Sequence, residues 1–200
     1  MSRQDSANSR RGPVLTESQI IELVSTLRTK DELAFARLVR LFERRIYNLA
    51  LNYLKQEEEA KDLTQEIFVA VYRALPQLKE DSKFVPWLYQ IAINHSRNHY
   101  QKLKRTGFFT TQSLDDPDSS LQLISASSPQ RDLEKQELNR LVREAIASMP
   151  TTEKEILILR DIQDLSYEVI SSTLELPLGT VKSKLNRARI ALKNRLKNTF

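Results

Sequence analysis

The sequence predicts an all-α protein: two small helical domains joined by a flexible linker, the C-terminal one a helix-turn-helix. Three observations carry that prediction. Apolar residues recur at helical spacing along most of the chain, and few runs alternate with period two. Only three glycines occur in 200 residues. A polar stretch at 106–129, with Gly107, Asp115, Asp116, Pro117, Asp118 and the run SASSP, separates two helix-rich segments.

Residues 1–16 read as a flexible tail. Arg3, Arg10 and Arg11 lie in it, but no apolar core follows them, so it is not a secretory signal. Thr16 and Gln19 form a capping box ahead of Ile20, Leu23, Val24 and Leu27. Asp31 caps a longer helix to about Leu54, with Phe35, Leu38, Phe42, Ile46, Leu49 and Tyr53 inward. The third helix, 57–75, turns Ala60, Leu63, Ile67, Ala70 and Ala74 inward. A loop at 76–83 leads to a fourth helix over about 83–104, with Phe84, Leu88, Ile91 and His95 as its inner stripe. Together these make a first domain, 17–105.

The second domain is 130–200. A helix spans Gln130 to about Ser148. Thr152 and Glu155 form a second capping box, opening a helix over 153–161. Ser166 caps a short helix to about Leu174. Glu175, Leu176 and Pro177 fill a tight turn, Pro177 at the first helical position. Gly179 permits close approach of another surface to the backbone. Val181, Leu185, Ala188, Leu192 and Leu196 then form one apolar stripe.

Charge narrows the function. The formal net charge is +5 and the pI near 9.4, which favours an anionic partner, nucleic acid ahead of membrane. There is no cysteine, which excludes disulfides, zinc fingers and thiol catalysis. No apolar run approaches the ~18–20 residues of a membrane span, so membrane insertion is not expected and a cytoplasmic setting is. The last helix carries Thr180, Lys182, Ser183, Lys184, Asn186, Arg187, Arg189, Lys193, Arg195 and Lys197 off its stripe, with no acid after Glu175. An ordinary solvated face mixes both signs. One packed side and cations elsewhere outline a recognition helix in a major groove.

Two other helices carry chemistry. On the fourth, Trp87, Gln90, Asn94, Arg97, Asn98 and Gln101 share one flank, and no acid occurs from Phe84 to Leu114. Amides can bond base edges, Trp87 can stack on an unpaired base, and Arg97, Lys102, Lys104 and Arg105 can hold phosphates. That combination suits single-stranded DNA. His95 and His99 sit four apart, but the Glu of the zincin pattern and a third ligand are lacking, and no metal is assigned. On the third helix Asp62, Gln65, Glu66, Val69, Tyr72 and Arg73 face outward. Apolar groups among acids fit a protein partner, since acids repel phosphate.

Three segments carry a family resemblance: Asp62-Leu63-Thr64-Gln65-Glu66-Ile67-Phe68, then Phe84-Val85-Pro86-Trp87-Leu88-Tyr89-Gln90-Ile91-Ala92-Ile93-Asn94, then the run from Leu176 to Arg189. In this order and spacing the chain resembles the sigma-70 family of bacterial transcription initiation factors, in particular its extracytoplasmic-function (ECF) subfamily. The resemblance implies that Asp62, Gln65, Glu66 and Val69 dock on the β′ coiled coil of core RNA polymerase. It implies that the helix carrying Trp87 to Asn98 melts the minus-ten element and captures a flipped base, with Asn94 foremost. Thr180, Lys182, Ser183, Lys184, Arg187 and Arg189 then read the minus-thirty-five element as duplex. An anti-sigma factor is the implied regulator; no cofactor and no covalent chemistry are implied.

Two positions depart from the family pattern. Ser171 replaces a small apolar residue where two helices approach, and its size makes it tolerable. Lys184 stands where arginine is commoner, and a lysine there favours phosphate contact over base readout. The two promoter elements lie about 85 Å apart at ~34 Å per duplex turn. The linker, extended at ~3.3 Å per residue, reaches about 80 Å, enough with the breadth of two domains added. Membrane binding by the basic C-terminal helix is disfavoured because its polar faces lack large apolar residues, and two rivals remain. One is a conventional helix-turn-helix regulator acting without polymerase, the other a metal-dependent hydrolase using His95 and His99.

Overall fold

The structure, a computed structural model, describes residues 16–27, 31–107 and 129–197, with side chains from 137 onward in the last segment. The tail expected at 1–16 lies outside this range but for Thr16. So does the expected linker but for its edges: Thr106 and Gly107 close one helix, and Pro129 opens the next.

Each helix begins where local chemistry satisfies its first backbone donors. Helix α1 (Glu17–Leu27) opens on the capping box: the Thr16 N–H donates to Gln19 Oε1 at 2.9 Å, and the Gln19 N–H to Thr16 Oγ1 at 3.3 Å. Helix α2 (Glu32–Leu54) opens on Asp31, whose carboxylate accepts from Leu33 N and Ala34 N, and closes on Lys55 in the left-handed region at φ 66. Helix α3 (Glu57–Ala74) follows after a two-residue break and tightens into a 3-10 turn at Leu75–Gln77. A second 3-10 turn, Asp81–Lys83, leads into α4 (Phe84–Arg105).

In the second half, α5 (Pro129–Ala147) precedes α6 (Thr151–Leu157), which widens into a π turn at Ile158–Ile162. Helix α7 (Tyr167–Leu174) opens on Ser166, whose Oγ accepts from Val169 N, and ends at Glu175 with φ 54. Helix α8 (Leu178–Lys197) completes the helix-turn-helix. No β-strand occurs among the described residues.

Helices α2, α3 and α4 pack together, α1 lies along α2, and α6, α7 and α5 pack on α8. The two halves also meet. Helix α7 lies on α4, and α2 touches both α5 and the π turn. The buried residues form one continuous cluster from Leu23 to Ala188. The halves therefore share a core on their facing sides, which the spacing of apolar residues within single helices does not announce.

That contact corrects several readings. Ile91 and His95 are only half-buried, whereas Tyr89, Ala92, Ile93, Ser96 and Leu103 are buried. A single inner stripe assumes one packed face, and α4 is packed on two. On α3, Ala70 and Ala74 are half-buried while Thr64, Phe68 and Val71 join the core. The Thr152–Glu155 capping box does not form. Pro150 occupies the cap position with no side-chain bond, and Glu155 is drawn to partners on α2 and α4. Pro177 sits one place earlier than expected, its carbonyl accepting the first helical bond from Val181 N at 3.0 Å. A Cβ at Gly179 would meet nothing within 4 Å, so among the described residues no other part of the chain approaches it.

Candidate nucleic-acid interface

Helix α4 positions the candidate single-strand flank. It is fixed from below by Phe84 and Leu88, both fully buried, and braced by the Phe42 and Phe84 rings at 5.9 Å. On that base Asn94, Asn98 and Gln101 stand exposed, as do Lys102, Lys104 and Arg105. Trp87 is half-buried, its ring 5.9 Å from that of Phe84. One edge is thus packed and the rest is open, the arrangement a stacking platform needs.

Two members of the flank are engaged by the second half of the chain. Gln90 Nε2 donates to Glu175 Oε1 at 2.9 Å. Arg97 donates to Glu155 Oε1 from Nε at 3.1 Å and from Nη2 at 2.8 Å. The same carboxylate oxygen accepts the Tyr53 hydroxyl at 2.8 Å. Burial, with Glu155 alongside, pushes the Tyr53 phenol well above its ordinary range. Lys154 is buried beside it, its ammonium 4.2 Å from the centre of the Tyr53 ring and 4.5 Å from that of Tyr100. Burial holds the Lys154 amine down at about 8, against an attraction to Glu155. The Tyr89 hydroxyl donates to Gln163 Oε1 at 3.3 Å, and Gln163 Nε2 donates to the Arg45 carbonyl at 3.1 Å.

None of these partner residues stands out by motif. The one available signal is the run from Lys154 to Leu159, in which two charges open a segment that is wholly buried. A stretch without a polar face must cover its charges with something, here two tyrosines and an arginine.

His99 Nε2 lies 2.6 Å from Glu59 Oε2 on α3. Among the described residues no three His, Cys, Asp or Glu side chains gather as a metal set.

Helix α8, the candidate recognition helix, is seated by Val181, Leu185 and Ala188, all buried. Lys182, Ser183, Arg187 and Arg189 are exposed, and Thr180 and Lys184 are half-buried. Ser183 Oγ donates to the Thr180 carbonyl at 3.0 Å. Arg189 is paired: Nε donates to Asp161 Oδ2 at 3.0 Å and Nη2 to Oδ1. The π turn sets Asp161 there. The Gln163 N–H reaches the Ile158 carbonyl at 2.9 Å, and Arg160 ties the turn to the Leu165 carbonyl at 2.8 Å. Ser171 has a use besides its size, since its Oγ donates to the Leu176 carbonyl and closes the turn before α8.

On α3, Asp62, Gln65, Glu66, Val69 and Tyr72 are all exposed. Tyr72 is held upright by the Phe35 ring, edge-on at 4.9 Å. This acidic face carries the apolar groups of Val69 and Tyr72 among its carboxylates.

Residues 38–106 match the family model of sigma-70 region 2, and residues 139–192 that of sigma-70, region 4. The chain is 34% identical over 182 residues to the RNA polymerase sigma-H factor of Pseudomonas aeruginosa, covering 90% of this chain and 94% of that protein. It is 31% identical over 186 residues to the ECF RNA polymerase sigma-E factor of Escherichia coli, covering 87% and 92%. Its fold is similar to CnrH, solved in complex with the cytosolic domain of CnrY (TM-score 0.69, 22% identity, 90% of this chain and 97% of that one). It is also similar to the sigma factor RpoE from Bartonella quintana, solved with the anti-sigma factor NepR (TM-score 0.60, 19% identity, 82% and 96%). With both regions matched in order on an all-helical fold, the chain belongs to the sigma-70 family of transcription initiation factors, in its extracytoplasmic-function branch.

Proposed function

We propose that this protein binds core RNA polymerase and directs it to specific promoters, opening the DNA by binding energy alone. Asp62, Gln65, Glu66 and Val69 on α3 dock on the β′ coiled coil. Trp87, Gln90, Asn94, Arg97, Asn98, Gln101, Lys102, Lys104 and Arg105 on α4 hold the unpaired minus-ten strand. Thr180, Lys182, Ser183, Lys184, Arg187 and Arg189 on α8 hold the minus-thirty-five duplex. The observation that carries the reading is the segregation of charge. Acids stand on the exposed face of α3, whereas the open flank of α4 and the outer face of α8 offer amides and cations.

No bond is made or broken in the protein. Flipping a base costs about a few kcal/mol, offset by stacking on Trp87 and by hydrogen bonds from Asn94 and Asn98. Phosphate contacts set the register, and base contacts specify the sequence. An anti-sigma factor regulates the protein by covering one of these faces. A family match to both regions favours this reading over a regulator acting without polymerase.

Immobilised core polymerase tests the docking step. The wild-type chain is retained, and the double charge reversal Asp62→Lys, Glu66→Lys abolishes retention while leaving the helical circular-dichroism spectrum unchanged. Equal retention of the two proteins would remove α3 from the polymerase interface.

A further inference from the structure

Helix α8 carries its cations in two settings, and the segment before it makes the difference. We propose that Asp161 is a positioning residue for duplex binding: it holds Arg189 so that the free end of the guanidinium meets one backbone phosphate of the minus-thirty-five element. This deepens the assignment of α8 to that duplex and rests on it.

The first observation is the fork. Arg189 donates from Nε to Asp161 Oδ2 at 3.0 Å and from Nη2 to Oδ1. Its Nη1 has no partner among the described residues. The Arg189 side chain is 50% exposed, that of Asp161 33%. The carboxylate thus takes one edge of the guanidinium and leaves Nη1 and one N–H of Nη2 for a second acceptor. An edge of that shape fits a phosphate.

The second is placement. At 3.6 residues per turn, Lys182 and Arg189 lie two turns apart on one edge of α8, beside the buried stripe of Val181, Leu185 and Ala188. Ser183, Asn186 and Arg187 lie on the outer face, all exposed. A helix seated in a major groove turns its outer face to base edges, and its flanks run beside the phosphates. Lys182 is held too. Its ammonium lies 5.8 Å from the centre of the Tyr167 ring, and the Arg160 guanidinium lies 5.1 Å from the same centre. Arg187, by contrast, makes no side-chain bond among the described residues. The edge cations are set before DNA arrives, and the outer ones are free to adapt.

The third is the π turn, Ile158–Ile162, which contains both Arg160 and Asp161. The Gln163 N–H bonds the Ile158 carbonyl, five residues back, at 2.9 Å. Single π turns recur at functional sites, and neither polymerase docking nor strand capture uses this one. Holding Arg189 in advance removes part of the side-chain ordering that binding otherwise requires. Asp161 also repels the phosphate, but across the width of the guanidinium and in screening salt, so the gain in order outweighs the repulsion.

Filter binding tests the pair, with holoenzyme reconstituted from core polymerase and the full-length chain. The probe is a promoter fragment that wild-type holoenzyme selects from genomic DNA. Arg189→Ala is expected to weaken binding on the order of fivefold and to lower the slope of log affinity against log salt by roughly 1. The loss should be the same when the minus-thirty-five bases are changed. Arg189→Lys keeps the charge without the fork and should lose as much as Asp161→Ala, on the order of threefold. Asp161→Ala placed in the Arg189→Ala background should leave affinity unchanged or raise it, since it then removes only a carboxylate near phosphate. A gain from Asp161→Ala alone overturns the proposal. So does an equal loss from it in both backgrounds, or an Arg189→Ala loss confined to the native minus-thirty-five bases. Circular dichroism checks the fold of each variant, and Asp161→Asn, which keeps the volume, repeats the comparison. If Arg187→Ala and Arg189→Ala both leave promoter binding unchanged, the assignment of α8 to the duplex fails with the proposal. If Arg189→Ala alone is silent, the proposal fails and that assignment stands.

Discussion

Lys154 enters the core beside Glu155 but finds its stabilisation in two aromatic faces rather than in a direct ion pair. Its amine is held at about 8, below the ordinary 10.5. For a base with a depressed value the folded state sheds its proton first as pH rises. Below pH 8 the amine is charged in folded and unfolded chains alike, and the full burial penalty is present. Between pH 8 and 10 the unfolded chain binds more protons, so stability rises with pH, on the order of 2 kcal/mol for this group. The Tyr53 phenol, raised by burial, stays protonated in the fold through that window. Urea unfolding at pH 8 and pH 10 should show the rise in wild type and a smaller one in Lys154→Met. Ser96 makes a simpler case. It is fully buried, and among the described residues its Oγ has no hydrogen-bond partner. Ser96→Ala should raise stability by about 1 kcal/mol, visible as a higher thermal midpoint; a lower midpoint would mean the hydroxyl is satisfied.

Among the helices, the ends were the most legible part of the chain. Thr16, Asp31 and Ser166 bond the donors their residue types imply, because a cap is decided within four residues. Ser166→Ala should therefore destabilise the protein by about 1 kcal/mol without altering α8 itself. Thr152 and Glu155 fit the same local rule and fail it, since Glu155 answers to Arg97 and Tyr53, residues far away in sequence. The second buried side of α4 and the π turn after α6 were invisible for the same reason: both depend on the other half of the molecule. The open flank of α4 was legible because no packing claimed Asn94, Asn98 or Gln101. Gly179 gives an element-scale test of α8. No described residue lies within 4 Å of an added Cβ there, so Gly179→Ala should fold at least as stably as wild type, by up to about 1 kcal/mol. If α8 takes the minus-thirty-five duplex as proposed, with the DNA backbone against Gly179, the added methyl should weaken duplex binding; unchanged duplex affinity places that backbone elsewhere.

At the level of the whole molecule, two helical halves share a core crossed by polar contacts, and they expose an acidic face on α3 and amide- and cation-bearing faces on α4 and α8. Their basic character makes promoter affinity salt-dependent through counterion release. Each phosphate contact contributes about one unit to the slope of log affinity against log salt, so Lys182→Ala in the holoenzyme should reduce that slope by roughly 1, measured by filter binding across a salt series. The measurement that bears most directly on the assignment of faces is run-off transcription by core polymerase reconstituted with this protein on a genomic promoter library. Wild type is predicted to start at a discrete set of promoters sharing two spaced elements, and Asn94→Ala to lose those starts while still assembling with core. Starts that are unselective, or that persist undiminished in Asn94→Ala, would contradict the account.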